Sequence, residues 1–380
     1  LARPTDYTTG ELGALDADAN AAIAEDVPFT GQDYYELKQL VAAALAEAEV
    51  TDPVIDVAIC DAKTCGECGL PSDGCQVMFA LTGVTTGSPG LPSELLYSQD
   101  GGATWAATSI TTLALGEAAS AMACVGTNLV VISNASDSLH YAPITDILTG
   151  TEVWTEVAVG FVAAGSPNAI FSLGRTKTWI VGDGGYVYFS DDITQGVVVQ
   201  TDGAVTAQDL QSIHGASSER LAASGAANAF IVTSNGGTTW AAVVGPNVGV
   251  LLSVVSFRPD ASDDEIWIGD AGGQLWYSLN VGQTWVEKTF PGSGAGTIYD
   301  LVWSTHSVGY LSHSTIAPAG RILRTISGGQ SWYVLPEAPG INMPANDQVS
   351  ALAACEEDAN LVLGGGIADD GTDGFLVLAA

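Results

Sequence analysis

The chain has 380 residues, of which 43 are acidic and only 10 basic, for a formal net charge of -33. Such a surface repels phosphate and anionic headgroups, which excludes nucleic acid and acidic membrane surfaces as partners. Charged residues are 14% of the chain while 45 residues are glycine, a balance that suits packed strands and tight turns rather than long solvated helices. No signal peptide is visible, and the longest apolar stretch, 241–257, is broken by Gly245-Pro246-Asn247, so no membrane insertion is expected. The first residue is Leu1, as removal of an upstream segment would leave.

Residues 1–33 are polar, Ala-rich and acidic, and are read as an extended arm. Asp16-Ala17-Asp18-Ala19-Asn20 starts like a calcium loop, but Ala21 stands where the loop needs Gly and Val27 where it needs a bidentate Glu. Over 34–49, Leu37, Leu40, Val41, Ala44 and Leu45 recur at three- and four-residue spacing, which predicts one amphipathic α-helix. Asp33 can cap it, and Pro53 lies just beyond its end. The expected organisation is an N-terminal arm and helix, 1–50, ahead of an all-β domain, 51–380.

Within that domain one octet recurs. Ser98-Gln99-Asp100-Gly101-Gly102-Ala103-Thr104-Trp105 is repeated as Thr233-Ser234-Asn235-Gly236-Gly237-Thr238-Thr239-Trp240. It returns as Ser278-Leu279-Asn280-Val281-Gly282-Gln283-Thr284-Trp285 and as Thr325-Ile326-Ser327-Gly328-Gly329-Gln330-Ser331-Trp332. Each follows an apolar run that reads as a strand, such as Leu95-Leu96-Tyr97 or Leu275-Trp276-Tyr277. The polar third residue can bond the turn backbone, the Gly can take positive φ, and the closing Trp buries a large ring as the next strand begins. The octet resembles the Asp-box, or BNR repeat, of sialidase-like, sortilin-like and photosystem-assembly-factor-like β-propellers. The resemblance covers 51–380 and implies that each box fastens a hairpin at the rim of a blade.

Trp spacing gives the period: 49 residues from Trp105 to Trp154, 86 to Trp240, 45 to Trp285 and 47 to Trp332. The 86-residue step is a double one, and a degenerate box, Ser190-Asp191-Asp192-Ile193-Thr194-Gln195-Gly196, sits inside it. Val181-Gly182-Asp183-Gly184-Gly185 and Ile268-Gly269-Asp270-Ala271-Gly272-Gly273 form a second repeated signature. Steps of this size are those of four-stranded propeller blades. The prediction is a seven-bladed β-propeller of four-stranded antiparallel blades, the last incomplete or closed by another strand; six blades plus an extra sheet is the alternative. Blade seven has strands at 349–354, 361–364 and 375–379 and lacks a fourth, for which 1–33 or 51–57 are the candidates.

Cys60, Cys65, Cys68 and Cys75 fall within sixteen residues in the hairpin joining the first two strands of blade one. Three readings stay open: two disulfides, most simply Cys60–Cys75 and Cys65–Cys68; a four-thiolate zinc knuckle; or an iron–sulfur site, for which the last spacing is wrong. Cys124 and Cys355 occupy the first strands of blades two and seven, near the central channel, and read as small buried hydrophobes.

No catalytic constellation emerges. The sialidase arginine clamp is not supported: the arginines are Arg3, Arg175, Arg220, Arg258, Arg321 and Arg324, and Phe257-Arg258-Pro259 falls in the fifth blade. His140, His214, His306 and His313 have no metal-ligand spacing. Asp369, Asp370 and Asp373 alternate with glycine and form a weak calcium candidate. No cofactor is expected beyond a structural zinc or calcium ion. The functional expectation is a non-enzymatic structural or interaction protein outside a reducing cytoplasm. One version is a virion component, such as a phage tail or capsid-surface protein, whose arm ties it into a homo-oligomer or larger assembly. The alternative is an extracellular module taking a glycan or a protein on a propeller face, with Trp179, Trp267 and Trp303 as stacking candidates. An assembly factor like the photosystem one ranks below these, because that family's pattern uses basic patches; a glycoside hydrolase ranks lower still.

Overall fold

The structure is a computed structural model; the residues it describes are 45–50, 52–60, 75–84, 92–157, 160–174, 176–314, 321–335, 348–368 and 373–379. Seven four-stranded antiparallel sheets follow one another along the chain. Their innermost strands are Val54–Cys60, Ala121–Val125, Pro167–Leu173, Leu210–Gly215, Leu252–Ser256, Ile298–Trp303 and Gln348–Ala354, for blades one to seven in order. Each packs against the next, and the seventh packs against the first, so the sheets form a closed ring around a channel. The six-blade alternative is thereby excluded.

Each blade runs from the channel outward as a meander, so its first and third strands point the same way. All seven inner strands therefore end on one face, and the connections between third and fourth strands open on that same face. That is where the boxes lie.

The boxes share one hydrogen-bond pattern. In the first, the Ser98 hydroxyl accepts the Gly102 N–H at 2.9 Å, and Asp100 accepts the Thr104 N–H at 2.8 Å and its hydroxyl at 2.6 Å. Thr233 and Asn235 accept the same N–H groups from Gly237 and Thr239, and Ser278 and Asn280 from Gly282 and Thr284, but here the Asn Nδ2 donates to the Thr hydroxyl. In the fourth, Thr325 and Ser327 accept from Gly329 and Ser331. Gly329 has φ +80°, and a Cβ there would come within 2.3 Å of the Trp267 ring, so both conformation and space demand glycine. In blade three the degenerate box keeps only part of this, with Asp192 accepting from Thr194. In blade two a short α-helix, Ile144–Thr149, occupies the position instead.

The N-terminal expectation needs two corrections. Residues 45–49 of the predicted helix are β-strand: Leu45–Val50 pairs antiparallel with Gly374–Ala379 and forms the outermost strand of blade seven. The closing strand thus comes from neither 1–33 nor 51–57, and the propeller begins at least six residues before the boundary read from sequence. The helical spacing of 34–49 describes local propensity, whereas the unpaired edge of the last blade offers a full ladder of backbone bonds. The arm, and 34–44, lie outside the described residues.

Six of the seven inner strands carry a bulge after their first or second residue, at Val54/Asp56, Pro167/Ala169, Leu210/Ser212, Leu252/Val254, Ile298/Asp300 and Val349/Ala351. The bulged residue often bonds the next blade. Asn168 donates to Leu210 O, Ser253 to Ile298 O and Ser350 to Val54 O, each the first residue of the following inner strand. The core is a series of clusters lying between adjacent blades, such as Trp267, Trp303 and Trp332 between blades five and six.

Candidate functional site

The ends of the inner strands enclose a cavity of about 320 Å³ at the channel mouth, on the face that carries the boxes. All seven blades contribute to it. Its wall mixes polar and apolar surface: the side chains of Ala58, Ile59, Phe171, Phe257, Val302 and Ala353 line it, and His214 and Glu356 are its ionisable residues. Burial pushes the His214 imidazole down to about 4, so it is neutral at physiological pH. It is held by ring contacts with Phe171 at 4.7 Å and Phe257 at 6.0 Å, and it accepts the Phe257 N–H. A mouth of this kind can take up an apolar side chain. It has no paired acid and base, no nucleophile beside a base, and no metal-ligand group among the described residues.

Two partly buried carboxylates, Asp56 and Asp300, follow the bulges of blades one and six, and neither was singled out from the sequence. Asp56 accepts the N–H of Met122 in blade two at 2.6 Å and of its own neighbour Val57 at 2.9 Å. Asp300 does the same with Leu352 of blade seven and with Leu301. Burial raises Asp56 to about 7, with the charge of Asp300 adding to the effect, and raises Asp300 to about 6. The available signal was a lone carboxylate at the third position of an otherwise apolar inner strand.

The cysteine reading is corrected. Cys60 is bonded to Cys124 and Cys75 to Cys355, with Cα–Cα distances of 5.9 Å in each case. Blade one is therefore stapled to blade two on one side and to blade seven on the other. Cys60 and Cys75 are not each other's partner, and with both oxidised the four-thiolate zinc and iron–sulfur readings fall. Cys124 and Cys355 are disulfide partners rather than packing hydrophobes. The spacing of a sequence cluster invites local pairing, but the ring brings residues 64 and 280 positions apart to the same rim. Cys65 and Cys68 lie outside the described residues, as do Asp369 and Asp370 of the calcium candidate; Asp373 is described and exposed.

Arginines with described side chains work at seams between blades. Arg220 of blade four meets Asp264 of blade five at 3.0 Å. Arg258 of blade five forms a bidentate pair with Glu265 at 2.8 Å, donates to His306 O of blade six, and lies 5.9 Å over the Trp303 ring. Arg324 of blade six is fully buried and donates to Ala359 O and Asn360 of blade seven. Trp179, Trp267 and Trp303 keep 1%, 1% and 7% of their surface, so they are core and present no stacking platform for a sugar. No helix among the described residues is long and apolar enough to cross a membrane.

Comparison with known proteins places this geometry. The family model of the photosynthesis system II assembly factor YCF48 matches residues 83–365. A solved structure of YCF48 bound to D1 peptide superposes with a TM-score of 0.63 at 15% identity, covering 88% of this chain and 96% of that one. YCF48 from Cyanidioschyzon merolae gives 0.62 at 16%, covering 89% and 98%. A chain of the mitotic checkpoint complex gives 0.60 at 12%, covering 88% and 90%, which shows how widely the architecture is shared. No curated protein matches. The family match overturns the expected virion component, and with it the virion or extracellular location; the ranking of assembly factor below both earlier readings was also wrong. Scarce arginine does not set the chain apart from that family, whose model matches residues 83–365. With the greater part of its length matched, the chain belongs to the YCF48 family of photosystem II assembly factors.

Proposed function

We propose that this protein is a non-enzymatic photosystem II assembly factor that holds a segment of a client protein at the channel mouth on the box face. The observation that carries the reading is the family match over residues 83–365. Its support from the site is a cavity lined by all seven blades, with no catalytic grouping beside it among the described residues. A YCF48 structure holding a D1 peptide makes a peptide of that protein the natural probe. A cavity of about 320 Å³ accommodates one or two apolar side chains, so affinity would come from anchoring a short stretch of chain.

The test is fluorescence anisotropy of a labelled D1 peptide titrated with the intact chain. Binding in the micromolar range, worth about 8 kcal/mol, is expected. Phe171→Glu, which puts a charge into the wall, should weaken it at least about ten-fold while leaving the thermal midpoint within a few degrees. No binding at about 100 μM would sink the client reading. Binding that Phe171→Glu leaves unchanged would move the site away from the mouth.

A further inference from the structure

The two disulfides differ in how a reductant can reach them. Cys124 lines the channel mouth and keeps 7% of its surface, with Cys60 behind it at 2%. Cys75 and Cys355 keep 3% and 1% and lie in the apolar core shared by blades seven and one, beside Val54, Val57, Leu361 and Leu363. Neither lines the mouth. Thiol–disulfide exchange requires a thiolate to approach one sulfur along the S–S axis, so access and the choice of sulfur set its rate.

We propose that Cys60–Cys124 is a thiol–disulfide exchange site, opened through the channel mouth to a small dithiol reductant, whereas Cys75–Cys355 is the permanent lock of the ring. One thiolate of the dithiol attacks Cys124 Sγ. The Cys60–Cys124 bond breaks and Cys60 leaves as a thiolate, which takes up a proton. The second thiol of the reductant then attacks the mixed disulfide, freeing Cys124 as a thiol and leaving the reductant as its cyclic disulfide. Two electrons pass to the protein and none is left over.

The consequence is local. With Cys75–Cys355 intact, blade seven remains tied to blade one. The seam between blades one and two keeps the bond from Met122 N to Asp56, and Ser172 Oγ still donates to Cys124 O from blade three. What is released is the covalent restraint on the wall formed by Ala58, Ile59, Ala123 and Cys124. The mouth can then change shape without the ring opening. The claim stands independently of the client reading, since it concerns the order in which two bonds react.

The test uses the intact chain in graded dithiothreitol, quenched with iodoacetamide and mapped by cysteine-containing peptides. Cys60 and Cys124 should be alkylated about ten-fold faster than Cys75 and Cys355, reflecting access alone. Equal rates, or prior reaction of Cys75–Cys355, would overturn the proposal. Val302→Trp, placed on the mouth wall, should slow alkylation of Cys60 and Cys124 several-fold and leave the other pair unchanged; Ala353→Leu serves the same purpose if the first variant loses its circular dichroism. If neither folded variant slows the first pair, the mouth is not the route.

Discussion

The ring is held together differently on its two sides. Around blade one the seams are covalent: Cys60–Cys124 toward blade two and Cys75–Cys355 toward blade seven. From blade four to blade seven they are ionic or charge-assisted, with one arginine at each: Arg220 to Asp264, Arg258 to His306 O, and Arg324 to Asn360. Between blades two, three and four, neutral hydrogen bonds serve, from Ser120 to Pro167 O and from Asn168 to Leu210 O. Identical repeats leave identical gaps, yet the chain fills them with three chemistries. The peptide chain is discontinuous inside blade seven, between Gly374–Ala379 and Leu45–Val50, and the adjoining seam with blade one receives a bond that does not depend on salt or side-chain ordering. The contrast also gives the few arginines of this acidic chain an architectural use.

The largest effect is expected on the ionic side. Arg258→Ala removes both bonds to Glu265, which is only 5% exposed and still accepts from Trp267 Nε1 at 2.7 Å. A buried carboxylate left without its cation costs about 3–5 kcal/mol, measurable as a lower denaturation midpoint. A loss below about 1 kcal/mol would mean that the Arg258–Glu265 pair, which holds Arg258 at the seam with blade six, behaves like an exposed one. Next comes the covalent side. Cys75→Ala with Cys355→Ala should cost about 2–4 kcal/mol and should leave only the part of the thermal midpoint's sensitivity to strong reductant that Cys60–Cys124 supplies. If the midpoint of the intact chain ignores reductant altogether, the contrast between the two sides loses its energetic meaning.

The smallest effect belongs to the carboxylates inside the ring. Asp56 and Asp300 keep their protons in the folded chain up to about pH 7 and about pH 6, while an unfolded chain releases them near pH 4. The folded state thus binds more protons across that window, and these groups make stability fall as pH rises through it. His214, pushed down to about 4, works in the opposite direction between about 4 and 6.5, which is why the wild-type profile alone is a poor measure. Relative to wild type, Asp56→Asn with Asp300→Asn should therefore gain stability steadily from pH 4 to pH 7, by on the order of 1–2 kcal/mol after allowance for solvent screening. A difference independent of pH would show that both carboxylates ionise normally.

The repeat was readable because it is written in residues that a turn demands. Asp100, Gly102 and Trp105 recur in register as Asn235, Gly237 and Trp240, and local geometry is enough to fix their meaning. The strand Leu45–Val50 was not readable, since Leu-Ala-Glu-Ala-Glu-Val favours helix and its partner lies at the far end of the chain. Disulfide partners were hidden for a related reason. Aligning inner strands brings Cys60, Cys124 and Cys355 to equivalent positions, but a crowd of four nearby cysteines offers a simpler local pairing. The mouth was harder still: Ala58, Phe171 and Val302 are ordinary strand residues, and only the closed ring turns them into a wall. Function was least legible of all, because the boxes describe how blades are fastened and nothing about what the ring holds.

Closure by Leu45–Val50 also imposes a timetable on synthesis. This strand is among the first parts of the ring to leave the ribosome, and its partner, Gly374–Ala379, is the last. Cys60 and Cys124 can meet as soon as blade two is made, whereas Cys75 must wait for Cys355. Blades one to six can condense in turn as they emerge, but the seventh cannot form until Gly374–Ala379 has emerged. A ribosome that stalls before Gly374–Ala379, or a protease that removes that strand, leaves a ring with a gap and an exposed edge rather than a smaller working protein. Completion of the circle is thus a check that the chain has been made at least as far as its closing strand.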